Sequence, residues 1–395
     1  VPATAYVNDI KADNFDVNKV YAVLDNHKYG DYQPYIYSSN DKGKTWKSIT
    51  SNLPDRTLTW RIIQDHVEKN LFFAATEYGI YFSINSGKSW SKLNGGVPTI
   101  SFRDLAIHKR ENDLVGASFG RGFFVFDDIT VFRELPNSQM NDKATLFSVK
   151  NAWWYIPRPY LGFNDPWNGL KGSQGDSYFV APNPPFGAVF TYHLSEGLVT
   201  KKEVRTKKEK STLKKGKPVG FPGWKIVESE RRELDSKVLI EVKDSNGEVV
   251  RRLEGPTSRG FHRIAWDLRY PSPNSILGEN SSANGSGFLA PPGKYNVTMF
   301  VKLDGKIEKV SDSKSFDVVP LRKGALVTES HDKIADFWRE YEKTAKRGSA
   351  IQFEVAEILK KVNRMHLAIS QSSGKIGDLD NRLSKLHNDV LEMDQ

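Results

Sequence analysis

The feature that most constrains this chain is a short phrase that occurs twice. SSNDKGKTW at 38–46 carries Ser39, Asp41, Gly43, Thr45 and Trp46, and SINSGKSW at 83–90 repeats the spacing with Ser83, Asn85, Gly87, Ser89 and Trp90. Two copies point to a repeated architecture before they point to a site. The flanking sequence agrees. NKVYAVLD from Asn18, KNLFFAAT from Lys69 and NDLVGASFG from Asn112 are three versions of one turn-then-strand phrase. Each is followed by a second strand-like run, PYIYSSN, GIYFSIN and GFFVFDD, and TWRIIQDH and FRDLAIHK precede the second and third copies. The unit is therefore three or four short antiparallel strands in about 45 residues, a period that suits a blade of a β-propeller.

Within such a unit the phrase falls in the hairpin between the last two strands. Gly43 supplies a positive backbone dihedral, Ser39 and Asp41 bond the loop backbone, and Trp46 is expected to tuck its ring between neighbouring sheets. The phrase resembles the Asp-box, S-x-D-x-G-x-T-W, of sialidase-like and sortilin-like propellers. The first copy matches throughout; the second has Asn85 for Asp and Ser89 for Thr. In those families the box is a structural fastener on the outer rim. Together with YAVLDNHKYGDYQPYIYSSNDKGKTW, LFFAATEYGIYFSINSGKSW and ASFGRGFFVFDDI, it is similar to the last blades of large bacterial proteins with sortilin-type propellers, often labelled glycosyl hydrolases. Phe119 departs from the family, where a histidine is expected before GRGF. Two or three blades cannot close a ring. The chain is thus expected to be the C-terminal portion of a longer protein, with partner blades upstream or in another chain.

The fold class expected is mainly β. Residues 1–133 form the terminal blades, and 134–184 an aromatic, Pro-rich connector. An immunoglobulin-like sandwich occupies 185–320, with a basic loop at 200–220 and a Ser/Asn/Gly loop at 270–290, and 321–395 form an α-helical hairpin. The sandwich rests on alternating runs such as KVLIEVKDSNGEVVRRLEG, with Asn246-Gly247 as a hairpin turn, and on RGFHRIAWDLR, where Trp266 is a core position. The hairpin rests on Val355, Ile358, Leu359, Val362, Met365 and Ile369, and on Leu379, Leu383, Leu386 and Val390, at helical spacing.

Composition narrows the chemistry. With no cysteine the chain has no disulfide and no thiolate metal ligand. Lys and Arg number 57 against 48 Asp and Glu, and nine of the basic residues lie in 201–220 without interleaved aromatics. That pattern is a solvated segment before it is a nucleic-acid groove, so nucleic acid is not the expected partner. No run is long and apolar enough to span a bilayer. A secreted or cell-envelope bacterial protein is the expectation, with any export signal removed or upstream.

No phosphate loop, HExxH motif or GxSxG elbow is present, and no cofactor or metal is called for. Glycoside hydrolysis needs two carboxylates, one protonated and one ionised. The candidates are Glu77, Asp25, Asp127 and Asp128, with Arg61, Arg103 and Arg121 as possible anion ligands. Trp153, Trp154, Tyr160 and Trp167 offer flat rings for a sugar face. The leading expectation is nevertheless a non-enzymatic propeller that binds a protein or peptide. The alternative is a sialidase- or xyloglucanase-like hydrolase acting on an extracellular glycan.

Overall fold

The computed structural model describes residues 1–137, 143–157, 183–273, 286–322 and 329–393. The chain is mainly β, in several sheets with a few helices. Its N-terminal third holds three antiparallel sheets in sequence order. The first joins Tyr6–Ala12, Val20–Asn26, Asp31–Ser39 and Lys47–Ser48; the second Thr59–Gln64, Phe72–Thr76, Gly79–Ser83 and Ser91–Lys92; the third Phe102–His108, Asp113–Ser118 and Phe123–Phe126.

The second sheet is the middle layer, and its sequence explains why. Phe72 and Ala74 pack toward Tyr21, Val23 and Ile36 of the first sheet. Phe73 and Ala75 pack toward Phe102, Leu105 and Leu114 of the third. A strand covered on both faces needs a continuous apolar run, and every residue of Phe72–Thr76 is buried. In the third sheet Asp113–Ser118 alternates instead, with Leu114 and Gly116 buried. Close approach between layers also requires Gly116, where a Cβ would lie 3.1 Å from Ile80 Cδ1 of the second sheet and 2.9 Å from the Phe102 ring of its own.

Both tight turns are held from within. Ser39 Oγ donates to Asp41 Oδ1 at 2.7 Å and accepts the Gly43 N–H at 2.8 Å, while Asp41 accepts the Thr45 N–H at 2.8 Å and its hydroxyl at 2.6 Å. These bonds hold the Asp41 carboxyl down at about 2, the Thr45 hydroxyl contributing most. In the second turn Asn85 accepts the Ser89 N–H at 2.9 Å but donates to the Ser89 hydroxyl at 2.8 Å, so an amide replaces the carboxylate without losing a bond. Gly43 and Gly87 have φ of 88° and 79°. At Gly43 an added Cβ would meet the Trp46 ring at 3.6 Å, whereas at Gly87 it would meet Ile49 at 3.0 Å. Gly43→Ala should therefore cost ~1–2 kcal/mol of backbone strain, and Gly87→Ala a further ~1–3 kcal/mol of overpacking, measurable by urea unfolding.

The two tryptophans part company. Trp90 is 3% exposed, and its Nε1 donates to the Ile49 carbonyl at 2.9 Å. Trp46, expected between sheets, is 41% exposed. The cause is the neighbour: Trp90 has residues 49–52 of the first sheet beneath it, and among the described residues no segment plays that part for Trp46.

Beyond the third sheet, two further sheets share one core built around Trp266, Tyr192, Phe190 and Phe316. One joins Ala144–Leu146, Ala188–Leu194 and Gly260–Trp266; the other joins Ala152–Trp154, Lys314–Pro320, Gly293–Leu303, Lys237–Lys243 and Val249–Gly255, with Lys306–Lys309 paired to Gly293–Leu303. Three corrections follow. The segment expected as a connector supplies two of these strands, since Ala144, Leu146 and Ala152 are apolar side chains that this core buries. The segment expected as a basic loop holds an α-helix, Lys201–Lys214. Thr200 and Glu203 form a reciprocal capping box, and Arg205 bonds Glu230 at 2.6 Å and Glu209 at 2.7 Å, which offsets the lysine repulsion. At 270–290, expected as a loop, Arg269–Pro271 pairs with Ser286–Leu289, and 274–285 lie outside the described residues.

The chain closes with helices His331–Gln371 and Leu379–Met393, in contact through His366 and Asp380 at 3.5 Å. Ile334, Phe337, Trp338 and Tyr341 continue into the same helix as Val355 and Val362. No helix among the described residues is long and apolar enough to cross a membrane.

Candidate functional site

Each of the three N-terminal sheets makes the turn between its second and third strands with a left-handed glycine: Gly30, Gly79 and Gly120, at φ 76°, 123° and 77°. The residues beside these glycines meet at one end of the sheets. Glu77, ahead of Gly79, is fixed by its N–H to the Leu58 carbonyl at 2.9 Å. Its Oε2 accepts the Trp60 indole N–H at 3.0 Å and the Ser101 hydroxyl at 2.9 Å, and Arg103 Nη2 stands 3.7 Å away. The Arg103 guanidinium lies 3.6 Å over the Trp60 ring and 5.1 Å from the Phe119 ring, so it is layered between two aromatic faces. From the first sheet, His27 packs edge-on to Trp60 with centroids 5.9 Å apart, and its Nδ1 is hydrogen-bonded to Asp25.

The cluster is half open. Trp60 is 8% exposed and Asp25 nearly as covered as the core, whereas Phe119 is 72% exposed and Arg103 and Tyr78 are partly so. The buried Trp60 ring and the half-buried Glu77 thus support an exposed face made of the Arg103 guanidinium and the Phe119 ring.

The sequence candidates fall in different places. Glu77 and Arg103 come together as described. Asp25 accepts the His27 backbone N–H and is hydrogen-bonded to the His27 ring, which packs on the Trp60 ring whose indole N–H goes to Glu77. Arg61 is a clamp between sheets, 2.9 Å from Asp9 and 3.0 Å from Asp104. Arg121 is exposed in the third turn beside Gly120. Asp128 is a turn residue that accepts the Thr130 N–H at 3.1 Å and its hydroxyl at 2.6 Å. Trp154 is no platform: its indole donates to the Ala290 carbonyl at 2.8 Å and its ring meets His331. Trp153 and Asp127 line a separate cavity described below. Tyr160 and Trp167 lie outside the described residues. Trp60 and Ser101, which bind Glu77, were missed; both stand at the start of a sheet's first strand, a shared position that the repeat alignment offered.

No family model matches the chain, and no curated protein matches it. Among solved structures, a GH74 enzyme from Niastella koreensis aligns at 17% identity over 31% of this chain and 21% of that one, with a TM-score of 0.27. The GH74 xyloglucanase from Xanthomonas campestris aligns at 9% identity over 77% of this chain and 38% of that one, with a TM-score of 0.25. A chain described as the extracellular domain of a hybrid two component system from B. thetaiotaomicron aligns at 10% identity over 80% and 32%, with a TM-score of 0.25. The chain spans less than two fifths of the length of each. At such TM-scores the likeness carries no argument, and function has to be reasoned from the site.

Proposed function

We propose that the chain is the C-terminal portion of a sortilin-like β-propeller protein of the bacterial envelope or exterior, and that it binds a protein or peptide without transforming it. On this reading the three N-terminal sheets are blades carrying Asp-boxes. The following sheets are an immunoglobulin-like sandwich, and the terminal helices are a hairpin that docks on it. The observation that carries the binding role is the layered Trp60, Arg103 and Phe119 over Glu77. Its exposed face offers a positive charge beside the apolar Phe119 ring, which suits a segment presenting a carboxylate and apolar side chains. Glu77 Oε2 accepts from Trp60 and Ser101 and stands beside Arg103, an arrangement that supports a role in positioning the arginine.

A hydrolysis screen on xyloglucan, other β-glucans and sialosides tests the non-enzymatic part. No turnover is expected from the wild-type chain or from Glu77→Gln. Turnover by the wild type that Glu77→Gln abolishes would overturn the proposal in favour of a hydrolase.

A further inference from the structure

A cavity of about 560 Å³ lies between the third sheet and the C-terminal sheets. Asp113, Asp127 and Asp128 line it from the third sheet and Arg263 from the strand opposite, with Trp153, Tyr155 and Phe186 as aromatic wall. The other carboxylates there already have hydrogen-bond or ion-pair partners. Glu111 takes Lys150 at 2.7 Å and Arg110 at 2.8 Å. Asp113 accepts the Asp128 N–H at 2.9 Å, and Asp128 is bonded to Thr130. Arg263 Nη1 donates to the backbone carbonyl of Asp127, at 3.0 Å, and not to its carboxyl. The Asp127 carboxyl is left over: among the described residues it has no hydrogen-bond or ion-pair partner. Tyr155 and Phe186 pack edge to face at 4.8 Å, and Trp153 is 37% exposed.

An acceptor without a donor, in a cavity walled by π-faces, is half of a receptor for an organic cation: the carboxylate supplies charge-assisted hydrogen bonds and the rings supply quadrupole attraction. We propose that this cavity binds a primary ammonium or guanidinium group, with Asp127 as its anionic partner and Trp153 and Tyr155 as its aromatic wall. The proposal is independent of the binding role of the turn cluster. Burial, followed by Asp113, pushes the Asp127 carboxyl above the usual 3.8, Arg263 and Lys150 pull it partly back, and Asp128 adds a smaller push upward. A bound cation would relieve that strain.

The test is calorimetric titration of the full chain at low salt with three probes: spermidine, N-acetyl-lysine amide and N-acetyl-arginine amide. Saturable binding is expected, weakened at least about tenfold by Asp127→Asn and by Trp153→Ala, and changed less than about twofold by Asp55→Asn, an exposed acid elsewhere. Affinity should fall as pH drops through the raised Asp127 value, because the protonated acid cannot pair, and Asp127→Asn should lose that dependence. Spermidine binding tighter than the amides would identify free polyamines as the source; the reverse would identify a partner's basic side chain. Asp127→Asn should fold with an unchanged or higher thermal midpoint, since it removes a desolvated acid. No binding of any probe up to about 10 mM, or equal binding by Asp127→Asn, would overturn the proposal.

Discussion

Replacing Trp90 by alanine is expected to lower stability by ~3–5 kcal/mol, the usual cost of truncating a fully buried large aromatic. Trp46→Ala, at the same place in the same motif, should cost about 0.5 kcal/mol or less. The buried ring and its indole hydrogen bond set the difference, while the backbone bonds to Asn52 hold the residue in place and survive the substitution. Trp90 gives its indole N–H to Ile49, its backbone N–H goes to Asn52 Oδ1 at 2.7 Å, and its carbonyl accepts from Asn52 Nδ2 at 2.9 Å. Removing the ring opens a cavity among Tyr21, Ile36 and Tyr81 and leaves the Ile49 carbonyl unpaired. Urea denaturation of the two variants checks this. Equal losses would mean that Trp46 is covered in solution and that the first sheet has a neighbour.

Arg133→Ala is the second large effect, at ~3 kcal/mol or more, because it strands a buried charge. Asp65 has a fully buried side chain, and Arg133 reaches it with Nε at 3.0 Å and Nη2 at 2.9 Å while also bonding Asn112. This fork ties helix Thr130–Glu134 and the third sheet to the second. Burial pushes the Asp65 carboxyl up, but Arg133 with the Glu68 and Val67 N–H groups more than offsets it, so the carboxyl sits below its usual 3.8. A group depressed on folding stabilises the protein above its unfolded value and loses that contribution as pH falls through the folded one. In the wild type the loss should therefore begin below about pH 4. In Arg133→Ala burial prevails, and acid unfolding should begin at higher pH. Identical acid midpoints would contradict the assigned role of the fork.

How far this was legible depended on how local the signal was. The strands of the three N-terminal sheets could be read because each is a turn followed by apolar residues, and LFFAAT even announces a strand covered on both faces. The fates of Trp46 and Trp90 could not be told apart, since identical motifs differ only in what packs on them. Lys201–Lys214 escaped because it has no apolar stripe, although Thr200 and Glu203 stood at capping-box spacing. At the site, Glu77 was legible as a strand-end acid, but its partners come from 17 and 24 residues away. The environment of Asp127 draws on Lys150 and Arg263, whose approach is set by how two sheet systems meet. Fold alone would not have decided between ligand and substrate.

The most direct test of the binding role is a peptide-display selection against the full chain, followed by the affinity of the selected peptides for Phe119→Ala and Arg103→Ala. The account predicts peptides rich in acidic and apolar residues, bound at least about tenfold more weakly by either variant, with Phe119→Ala as stable as the wild type. Selected peptides that bind both variants as tightly as the wild type would contradict it and remove the recognition role from this cluster.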